Sequence, residues 1–478
     1  MSTPTSVRPL RVAIVGAGPA GIYAADILAK TDLDVSIDLI ERLPAPFGLV
    51  RYGVAPDHPR IKAIILALHK VLEKGEVRLL ADVDFGRDLD LSDLRRLYDA
   101  VIFATGSIKD APLDIPGVDL PGCYGAADFV SWYDGHPDVP RTWPLTAKQV
   151  AVFGVGNVAL DVARVLSRHA DDMLHTDIPD NVYQGLKVNP VTDVHIFGRR
   201  GPAQVKFSPL ELRELGQVPG VDVVVYPEDY EFDEGSMAAI EASNQTKQVV
   251  KTLTDWALID PATQTASRRI HLHLLHSPVE VVAGDDGRVM AVRTERTALQ
   301  GDGSVAGTGE FHEWPVQAVY RAVGYFGSAL PGVPFDERAG VIPNREGRVL
   351  DASGQHIPGL YTTGWIKRGP VGLIGHTKSD AAETIRHLVE DVTGVATDIS
   401  AGAAGSAVAG NRDGGRTATA PDPSAVTDLL TKRGVTYLQW PDFERLEAHE
   451  IALGEAVGRE RIKVVSREEM LTIANPHP

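Results

Sequence analysis

Cysteine is almost absent from this sequence, since Cys123 is the only one among 478 residues. A single thiol cannot form an internal disulfide, a CxxC redox pair, or a zinc or iron-sulfur centre held by several cysteines. A thioredoxin reductase, whose chemistry needs a cysteine pair, is therefore excluded. We expect any redox chemistry of this chain to depend on a bound cofactor, and the sequence predicts no metal ligands.

Long apolar runs and an excess of basic residues are also absent. No run reaches the ~18 apolar residues of a membrane span, and the start, MSTPTSVRPL, lacks the apolar core of a secretory signal. Lys and Arg number 47 against 64 Asp and Glu, which gives a net charge of −17. We therefore expect a cytoplasmic protein with no nucleic-acid and no membrane partner. Its length and its 44% hydrophobic content predict two or three domains with ample core.

A glycine-rich motif stands near the N-terminus. The stretch LRVAIVGAGPAGIYAADILAKT has the pattern of a strand, a glycine turn and a helix, and a second strand, VSIDLIER, follows. Gly16 suits the tight turn, Gly18 the approach to a pyrophosphate, and Gly21 the packing of helix on strand. Glu41 closes the next strand, where a carboxylate accepts hydrogen bonds from a ribose. A chance glycine turn is the alternative, but the register of strand, helix and acid favours a dinucleotide site.

A second stretch, KQVAVFGVGNVALDVARVLSRH, repeats the pattern with Gly154, Gly156 and Ala159. Its next strand, in VTDVHIFGRRGP, ends in Arg199 and Arg200 instead of a carboxylate. Guanidinium groups form bidentate, charge-assisted hydrogen bonds with phosphate, so this site is predicted to prefer NADP(H) to NAD(H). An exposed basic turn is the alternative interpretation.

Together the two motifs indicate FAD in the first fold and NADPH in the second, with hydride transfer between them. The ATG at 104–106 and the TTG at 362–364 are predicted to end strands of the FAD domain. After the second, Trp365 is expected near the flavin, and the N-terminus of the helix that follows IKRGPVGLIG is expected at the flavin pyrimidine edge. An ordinary core tryptophan is the alternative for Trp365.

Several longer motifs resemble one family. GLVRYGVAPDHPRIK, GNVALDVAR, GRRGP, LELRELG and GWIKRGPVGLIGHTKSDA together resemble the adrenodoxin reductase type of ferredoxin-NADP reductase over residues 10–396. The resemblance implies an α/β fold with two Rossmann-like dinucleotide-binding domains, the NADP domain inserted into the FAD domain. The implied divisions are an FAD-binding domain at 8–108 and 325–396, an NADP-binding domain at 109–324, a flexible linker at 397–424, and a helical segment at 425–478 that packs on the FAD domain.

The resemblance also implies site residues. Those expected at FAD are Ala20, Glu41, Leu49, Val83, Trp365, Gly372, Leu373 and Ile374. Those expected at NADP are Gly156, Asn157, Val158, Ala159, Arg199, Arg200, Glu211 and Gly372. His58 and Glu214 are expected together near the flavin as accessory catalytic groups. The alternative for His58 is a solvated loop residue beside a helix capped by Asp57, and the alternative for Glu214 is a surface glutamate.

The activity that this resemblance implies is hydride transfer from NADPH to FAD, followed by one-electron transfers to a small, acidic iron-sulfur ferredoxin that feeds an acceptor such as a cytochrome P450. Basic residues are predicted to dock this partner, namely Arg51, Arg60, Lys62 and Lys70, joined by Lys367 and Arg368. Two alternatives remain at this point. One is a flavin-dependent NADPH oxidase or monooxygenase, and the other is a dinucleotide-sensing module without turnover.

Overall fold

The computed structural model describes residues 8–371, 375–394 and 422–475. Contacts divide the chain into two compact units. The first unit contains the residues up to Val54, His58–Lys109, and the residues from Phe326 on, whereas the second contains Ala55–Asp57 and Asp110–Tyr325. The predicted linker lies outside the described residues except for its last three. No helix within the described ranges is long and apolar enough to cross a membrane.

The strands and helices of these ranges are numbered in chain order. The strands are β1 Leu10–Val15, β2 Val35–Glu41, β3 Val77–Ala81, β4 Ala100–Phe103, β5 Lys109–Asp110, β6 Cys123–Gly125, β7 Gln149–Phe153, β8 Asp193–Gly198, β9 Val221–Val225, β10 Arg268–Leu274, β11 His276–Ala283, β12 Val289–Leu299, β13 Val305–Pro315, β14 Ala318–Arg321, β15 Tyr325–Phe326, β16 Asn344–Arg345, β17 Arg348–Leu350 and β18 His356–Thr362. The helices are α1 Pro19–Ala29, α2 Leu49–Tyr52, α3 Pro59–Lys62, α4 Ile65–Glu73, α5 Leu91–Leu97, α6 Ala126–Tyr133, α7 Asn157–Ser167, α8 Asp180–Lys187, α9 Pro209–Leu215, α10 Glu234–Ala242, α11 Asn244–Ala257, α12 Trp365–Arg368, α13 Gly375–Thr393, α14 Ala425–Lys432, α15 Trp440–Glu455 and α16 Arg467–Ala474.

The first unit is built on a seven-stranded sheet in the order β16-β17-β18-β4-β1-β2-β3. Its central strands are parallel, and every residue of β1 is buried. A continuous apolar run such as LRVAIV suits a strand that is covered on both faces, because each side chain then reaches a core. The order places β1 between β2 and β4, so a crevice opens at its carboxyl end, where ligands of open α/β sheets bind.

The C-terminal helices of this unit are tied to it by buried charge. Glu450 of α15 is fully buried, and its carboxylate accepts hydrogen bonds from the Arg51 guanidinium at 2.5 Å and from the Val464 backbone N–H at 3.0 Å. The rings of Phe443 and Phe47 pack edge to face, with centroids 5.6 Å apart. Arg51 is therefore committed to an internal ion pair.

The second unit is built on a six-stranded parallel sheet in the order β6-β14-β7-β8-β10-β9, together with an antiparallel sheet β11-β12-β13. From the sequence alone, RIHLHLLHSPVEVVAG and RVMAVRTERTAL are interpreted as an antiparallel extension, and this interpretation is wrong for RIHLHLL. Strand β10 pairs in parallel with β8 and β9, and the chain turns at Leu275, whose φ is +58°, before β11 begins. The alternating pattern alone cannot distinguish the two directions of pairing.

A half-buried carboxyl in this unit makes stability depend on pH. Burial, with repulsion from Asp128, raises the pKa of Asp110 to about 6, although the Ala127 N–H donates to it at 3.0 Å. Because the folded pKa exceeds the unfolded one, this contribution to stability is present below about pH 4 and is lost as pH rises through 6. Asp110→Asn is therefore expected to stabilise the protein by about 1–2 kcal/mol at pH 7.5 and by little at pH 4.5. Thermal unfolding at both pH values measures this.

The matched control is Asp114→Asn, which neutralises an exposed carboxyl four positions away. It is expected to leave the unfolding temperature unchanged at both pH values. Equal stabilisation by Asp110→Asn at pH 4.5 and 7.5 would contradict the raised pKa.

Candidate functional site

The first glycine loop joins β1 to α1 in the first unit. Gly16 has φ +110°, and a Cβ there would lie 2.5 Å from the carbonyl oxygen of Ala104. A Cβ on Gly21 would lie 2.0 Å from the carbonyl oxygen of Gly16. Both positions therefore require glycine, because the loop folds tightly against its own helix and against the end of β4.

Helix α1 begins at this loop without a side-chain cap. Its N-cap is Gly18, Pro19 occupies the first turn, and Ala20 follows. The N–H groups of a first helical turn have no partner within the helix, and the helix dipole is positive there. The loop is thus suited to hold the phosphates of a dinucleotide.

Glu41 is fixed beside this loop. One carboxylate oxygen accepts from the Ala17 N–H at 2.9 Å, and the other accepts from the Leu43 N–H at 3.0 Å. Burial raises the pKa of Glu41, and these two N–H groups oppose that rise. Each carboxylate oxygen can accept a second hydrogen bond, so the side chain remains able to bind ribose hydroxyls.

The turn that follows β18 lies beside the first glycine loop, in the same unit. Gly364 has φ +77°, and a Cβ there would lie 2.6 Å from the Ala20 Cβ, so the residue before Trp365 closely approaches α1. The Gly364 N–H donates to Asp380 of α13 at 2.5 Å, and the buried Lys367 ammonium lies 2.9 Å from the other oxygen of that carboxylate. Trp365 itself is half-buried at the start of α12. Asp380 thus holds the turn in place, a role that the sequence analysis missed.

The second glycine loop joins β7 to α7 in the second unit. Gly154 has φ +136°, and a Cβ there would lie 2.2 Å from the carbonyl oxygen of Ala322. Gly156 is the N-cap of α7, and among the described residues no atom lies within 4 Å of the position its Cβ would take. Val158 is half-buried, and Ala159 is fully buried on the helix. The loop therefore repeats the geometry of the first, with a positive φ at its first glycine and a glycine as the N-cap of its helix.

The paired arginines follow β8 in a turn with a fixed backbone. The Arg199 carbonyl accepts from the Thr297 hydroxyl at 2.7 Å, and the Arg200 carbonyl accepts from the Leu275 N–H at 3.2 Å. The Arg199 side chain is exposed and that of Arg200 is half-buried. Two guanidinium groups are thus presented at the end of the strand that follows the second glycine loop.

Helix α9 lies close to the same loop. The Asn157 side-chain oxygen accepts from the Ser208 N–H at 2.8 Å, and Ser208 in turn caps the helix by accepting from the Glu211 N–H. Glu211 is buried, with its carboxylate 3.9 Å from the Arg164 guanidinium, whereas Glu214 is half-buried one turn further. These contacts connect the start of α7 to the predicted glutamates.

The structure does not place His58 in a solvated loop, which was the alternative interpretation of this residue. It is buried, and it is itself the N-cap of α3, so a solvated loop histidine and an Asp57 cap are both wrong. The Asp57 carboxylate instead pairs with Arg164 at 2.7 Å and with Arg168 at 3.0 Å in the second unit. A motif of three residues cannot reveal these partners, which lie more than 100 positions away.

The remaining predicted cofactor residues lie in the first unit or outside the described chain. Leu49 is half-buried at the start of α2, and Val83 is fully buried after β3. Gly372, Leu373 and Ile374 lie outside the described residues. The predicted helix after them is present as α13.

Two of the residues predicted to dock a partner are not available for it. Arg51 pairs with the buried Glu450, and Lys367 is buried with Asp380 and Glu383 around its ammonium group. Arg60 and Lys70 are exposed. The basic residues that cluster in the sequence therefore form a smaller basic surface than their number suggests.

Known proteins resemble this chain along nearly its whole length. A family model described as pyridine nucleotide-disulphide oxidoreductase matches residues 10–199. NADPH-ferredoxin reductase FprA of Mycobacterium tuberculosis is 39% identical, over 98% of this chain and 99% of its own length. The mitochondrial NADPH:adrenodoxin oxidoreductase of Homo sapiens is 36% identical, over 98% of this chain and 93% of its own. The structure of Mycobacterium tuberculosis FprA in complex with NADPH is 38% identical, covers 98% of this chain and 100% of that chain, and has a TM-score of 0.87.

Two glycine loops on parallel sheets, one beside a carboxylate and one beside paired arginines, define a flavoprotein oxidoreductase with two dinucleotide folds. The lone cysteine excludes disulphide chemistry within the chain. With relatives of 36–39% identity along nearly its whole length, the chain belongs to the adrenodoxin reductase type of ferredoxin-NADP reductases. The predicted family and the predicted α/β fold class with two Rossmann-like domains are confirmed.

Proposed function

We propose that this protein is an FAD-dependent NADPH:ferredoxin oxidoreductase. The observation that carries this function is the pairing, in one chain, of a glycine loop beside Glu41 with a glycine loop followed by Arg199 and Arg200. The cofactors are FAD and NADP(H). When bound, FAD supplies the redox chemistry, because it takes up hydride and passes on single electrons. Whole-length relatives named NADPH-ferredoxin reductase and NADPH:adrenodoxin oxidoreductase support the same activity.

The first unit is proposed to hold FAD. The main contacts would come from the first glycine loop and its acid, that is Gly16, Gly18, Ala20, Gly21 and Glu41. The open first turn of α1 binds the pyrophosphate, and the fixed Glu41 carboxylate orients the ribose. Further contacts are proposed at Leu49, Val83, Trp365, Gly372, Leu373 and Ile374. The FAD domain is proposed to span 8–108 and 325–396.

The second unit is proposed to hold NADP(H), in a domain that spans 109–324. Its proposed contacts are Gly156, Asn157, Val158, Ala159, Arg199, Arg200 and Glu211, joined by Gly372. The two guanidinium groups neutralise the 2′-phosphate, which a carboxylate at the strand end would repel. Support comes from Gly156, where a Cβ would meet no other atom of the described residues within 4 Å, and from the exposed Arg199 side chain.

His58 and Glu214 are proposed as accessory groups near the flavin. Burial of His58 supports a role within the protein interior rather than at a solvated loop. A cytochrome P450 as the terminal acceptor and a cytoplasmic location remain predictions from the sequence.

A protein partner is favoured over oxygen or a small substrate as the electron acceptor, because the curated relatives carry ferredoxin or adrenodoxin in their names. The partner is an iron-sulfur ferredoxin. Its docking is proposed to use Arg60 and Lys70, which are exposed on α3 and α4. Since the chain carries a net charge of −17, an acidic partner needs such a local positive face.

An NADPH oxidation assay with and without a ferredoxin and cytochrome c tests this function. We expect cytochrome c reduction to require the ferredoxin and to fall several-fold from 50 to 300 mM salt, because exposed charges are screened. Reduction of a neutral quinone by NADPH should change little with salt. The variant Arg60→Gln with Lys70→Gln should weaken only the ferredoxin-dependent rate.

The matched control is Arg345→Gln, which removes an exposed arginine of the same unit outside α3 and α4. It should behave as the wild-type protein in both assays. Cytochrome c reduction independent of ferredoxin would favour an oxidase or monooxygenase, whereas equal salt sensitivity of both acceptors would remove the docking proposal alone.

A further inference from the structure

Three histidines of the second unit share one face of its parallel sheet. His195 lies on β8, and His271 and His273 lie on the neighbouring β10, where His195 pairs in register with His271. One ring nitrogen from each of the three lies within 4.8 Å of those of the other two. His195 Nδ1 and His273 Nε2 are 3.0 Å apart.

The tautomer of His195 follows from its neighbours. The Gln149 amide nitrogen donates to one oxygen of Asp193 at 2.7 Å, which turns the amide oxygen of Gln149 towards His195. That oxygen lies 3.0 Å from His195 Nε2 and can only accept a hydrogen bond. The Nε2 atom therefore carries the proton, and the lone pair of His195 is on Nδ1.

The same carboxylate sets the tautomer of His271. The His271 Nε2 atom lies 2.9 Å from the other oxygen of Asp193, so the ring donates its Nε2 proton there. The lone pair of His271 is on Nδ1, which lies 2.8 Å from the Tyr226 hydroxyl. Metal-binding histidines typically have the remote ring nitrogen bonded to a carboxylate or carbonyl oxygen in this way, because that bond fixes the lone pair that faces the ion.

We propose that His195, His271 and His273 bind one divalent transition-metal ion of the zinc type. Imidazole nitrogens suit zinc, whereas calcium and magnesium prefer oxygen ligands. The ion replaces the hydrogen bond between His195 and His273 and the one between Tyr226 and His271. His273 then carries its proton on Nδ1 instead of Nε2, and the fourth position faces the Tyr226 hydroxyl.

Binding requires a small rearrangement of the rings. Zinc–nitrogen distances of about 2.0–2.1 Å place tetrahedral ligand atoms about 3.3 Å apart, close to the 3.0 Å between His195 and His273. The rings of His195 and His271, however, lie within 12° of parallel with centroids 4.5 Å apart. Because an ion lies near the plane of each ring that binds it, His271 must tilt out of this stack. A stack that serves packing alone would take up no ion.

The test uses the FAD-bound protein, stripped with a chelator, desalted and then dialysed against zinc chloride. We expect one zinc per chain by elemental analysis, and a zinc-dependent rise of the unfolding temperature, since a ligand of the folded state alone stabilises it. His195→Gln should weaken zinc binding at least tenfold and abolish this rise. His175→Gln, which removes an exposed histidine of the same unit, should retain both.

Failure of the wild-type protein to bind zinc would overturn the proposal, as would unchanged binding in a folded His195→Gln variant. Where circular dichroism shows that this variant does not fold, X-ray absorption of the zinc-loaded wild-type protein decides. An imidazole shell at about 2.0–2.1 Å supports the site, and a shell of oxygen ligands alone contradicts it.

Discussion

Replacing Arg199 and Arg200 together with glutamine is expected to lower kcat/KM for NADPH by about 100-fold or more, while kcat/KM for NADH changes less than about threefold. Hydrogen bonds to charged groups contribute about 1.5–3 kcal/mol each, so loss of two guanidinium–phosphate contacts gives an effect of this size. NADH lacks the 2′-phosphate and loses neither contact. Steady-state rates with both nucleotides and a neutral quinone acceptor measure the difference.

The substitution removes side chains without disturbing the turn that carries them. The backbone is held by bonds from Thr297 and Leu275 to the carbonyl groups of the two arginines, and these bonds do not depend on the side chains. Arg288→Gln, at an exposed arginine of the same unit, is the matched control and should alter neither nucleotide. Similar decreases of kcat/KM for NADPH and for NADH would show that the arginine pair does not recognise the 2′-phosphate.

The glycine loops could be predicted from sequence because they are local. Turn, helix start and strand-end acid all lie within about 30 residues of one another, and each residue type is required by the geometry of its own backbone. The φ of +110° at Gly16 explains why glycine stands there. The Arg199 and Arg200 pair lies further along the chain from its glycine loop, but its place at a strand end could still be predicted from the apolar pattern of β8.

The settings of charged side chains could not be predicted, because their partners are distant in the sequence. Arg51 meets Glu450 after 399 positions, so a residue that looks like part of a basic surface is buried in an ion pair. The cluster of His195, His271 and His273 could not be predicted for the same reason, because His195 lies far from the other two in the sequence. Only the parallel register of β8 and β10 brings His195 beside His271, and alternation within RIHLHLL does not reveal which strand becomes its neighbour.

Two alanine substitutions, one in each glycine loop, test the assignment of FAD to the first unit and of NADP(H) to the second. Gly18 has φ −78°, and a Cβ there would have its nearest neighbour at 3.8 Å. Gly156 has φ −112°, and no atom in the described part of the chain lies within 4 Å of its Cβ position. Alanine therefore fits both backbones without a clash among the described residues. Its methyl group, however, occupies the space through which a pyrophosphate approaches the helix.

Gly18→Ala is expected to yield a folded protein that purifies with little FAD and is nearly colourless. Gly156→Ala should remain yellow and be reduced by dithionite, but its KM for NADPH should rise about tenfold or more, because a displaced pyrophosphate loses its bonds to the helix N-terminus. Visible spectra and NADPH titrations measure the two effects, and each variant is the control for the other, since the same change is made at equivalent positions. Loss of flavin from Gly156→Ala, with retention of flavin by Gly18→Ala, would reverse the assignment. If both variants bind both cofactors as the wild-type protein does, the glycine loops are not part of the binding sites.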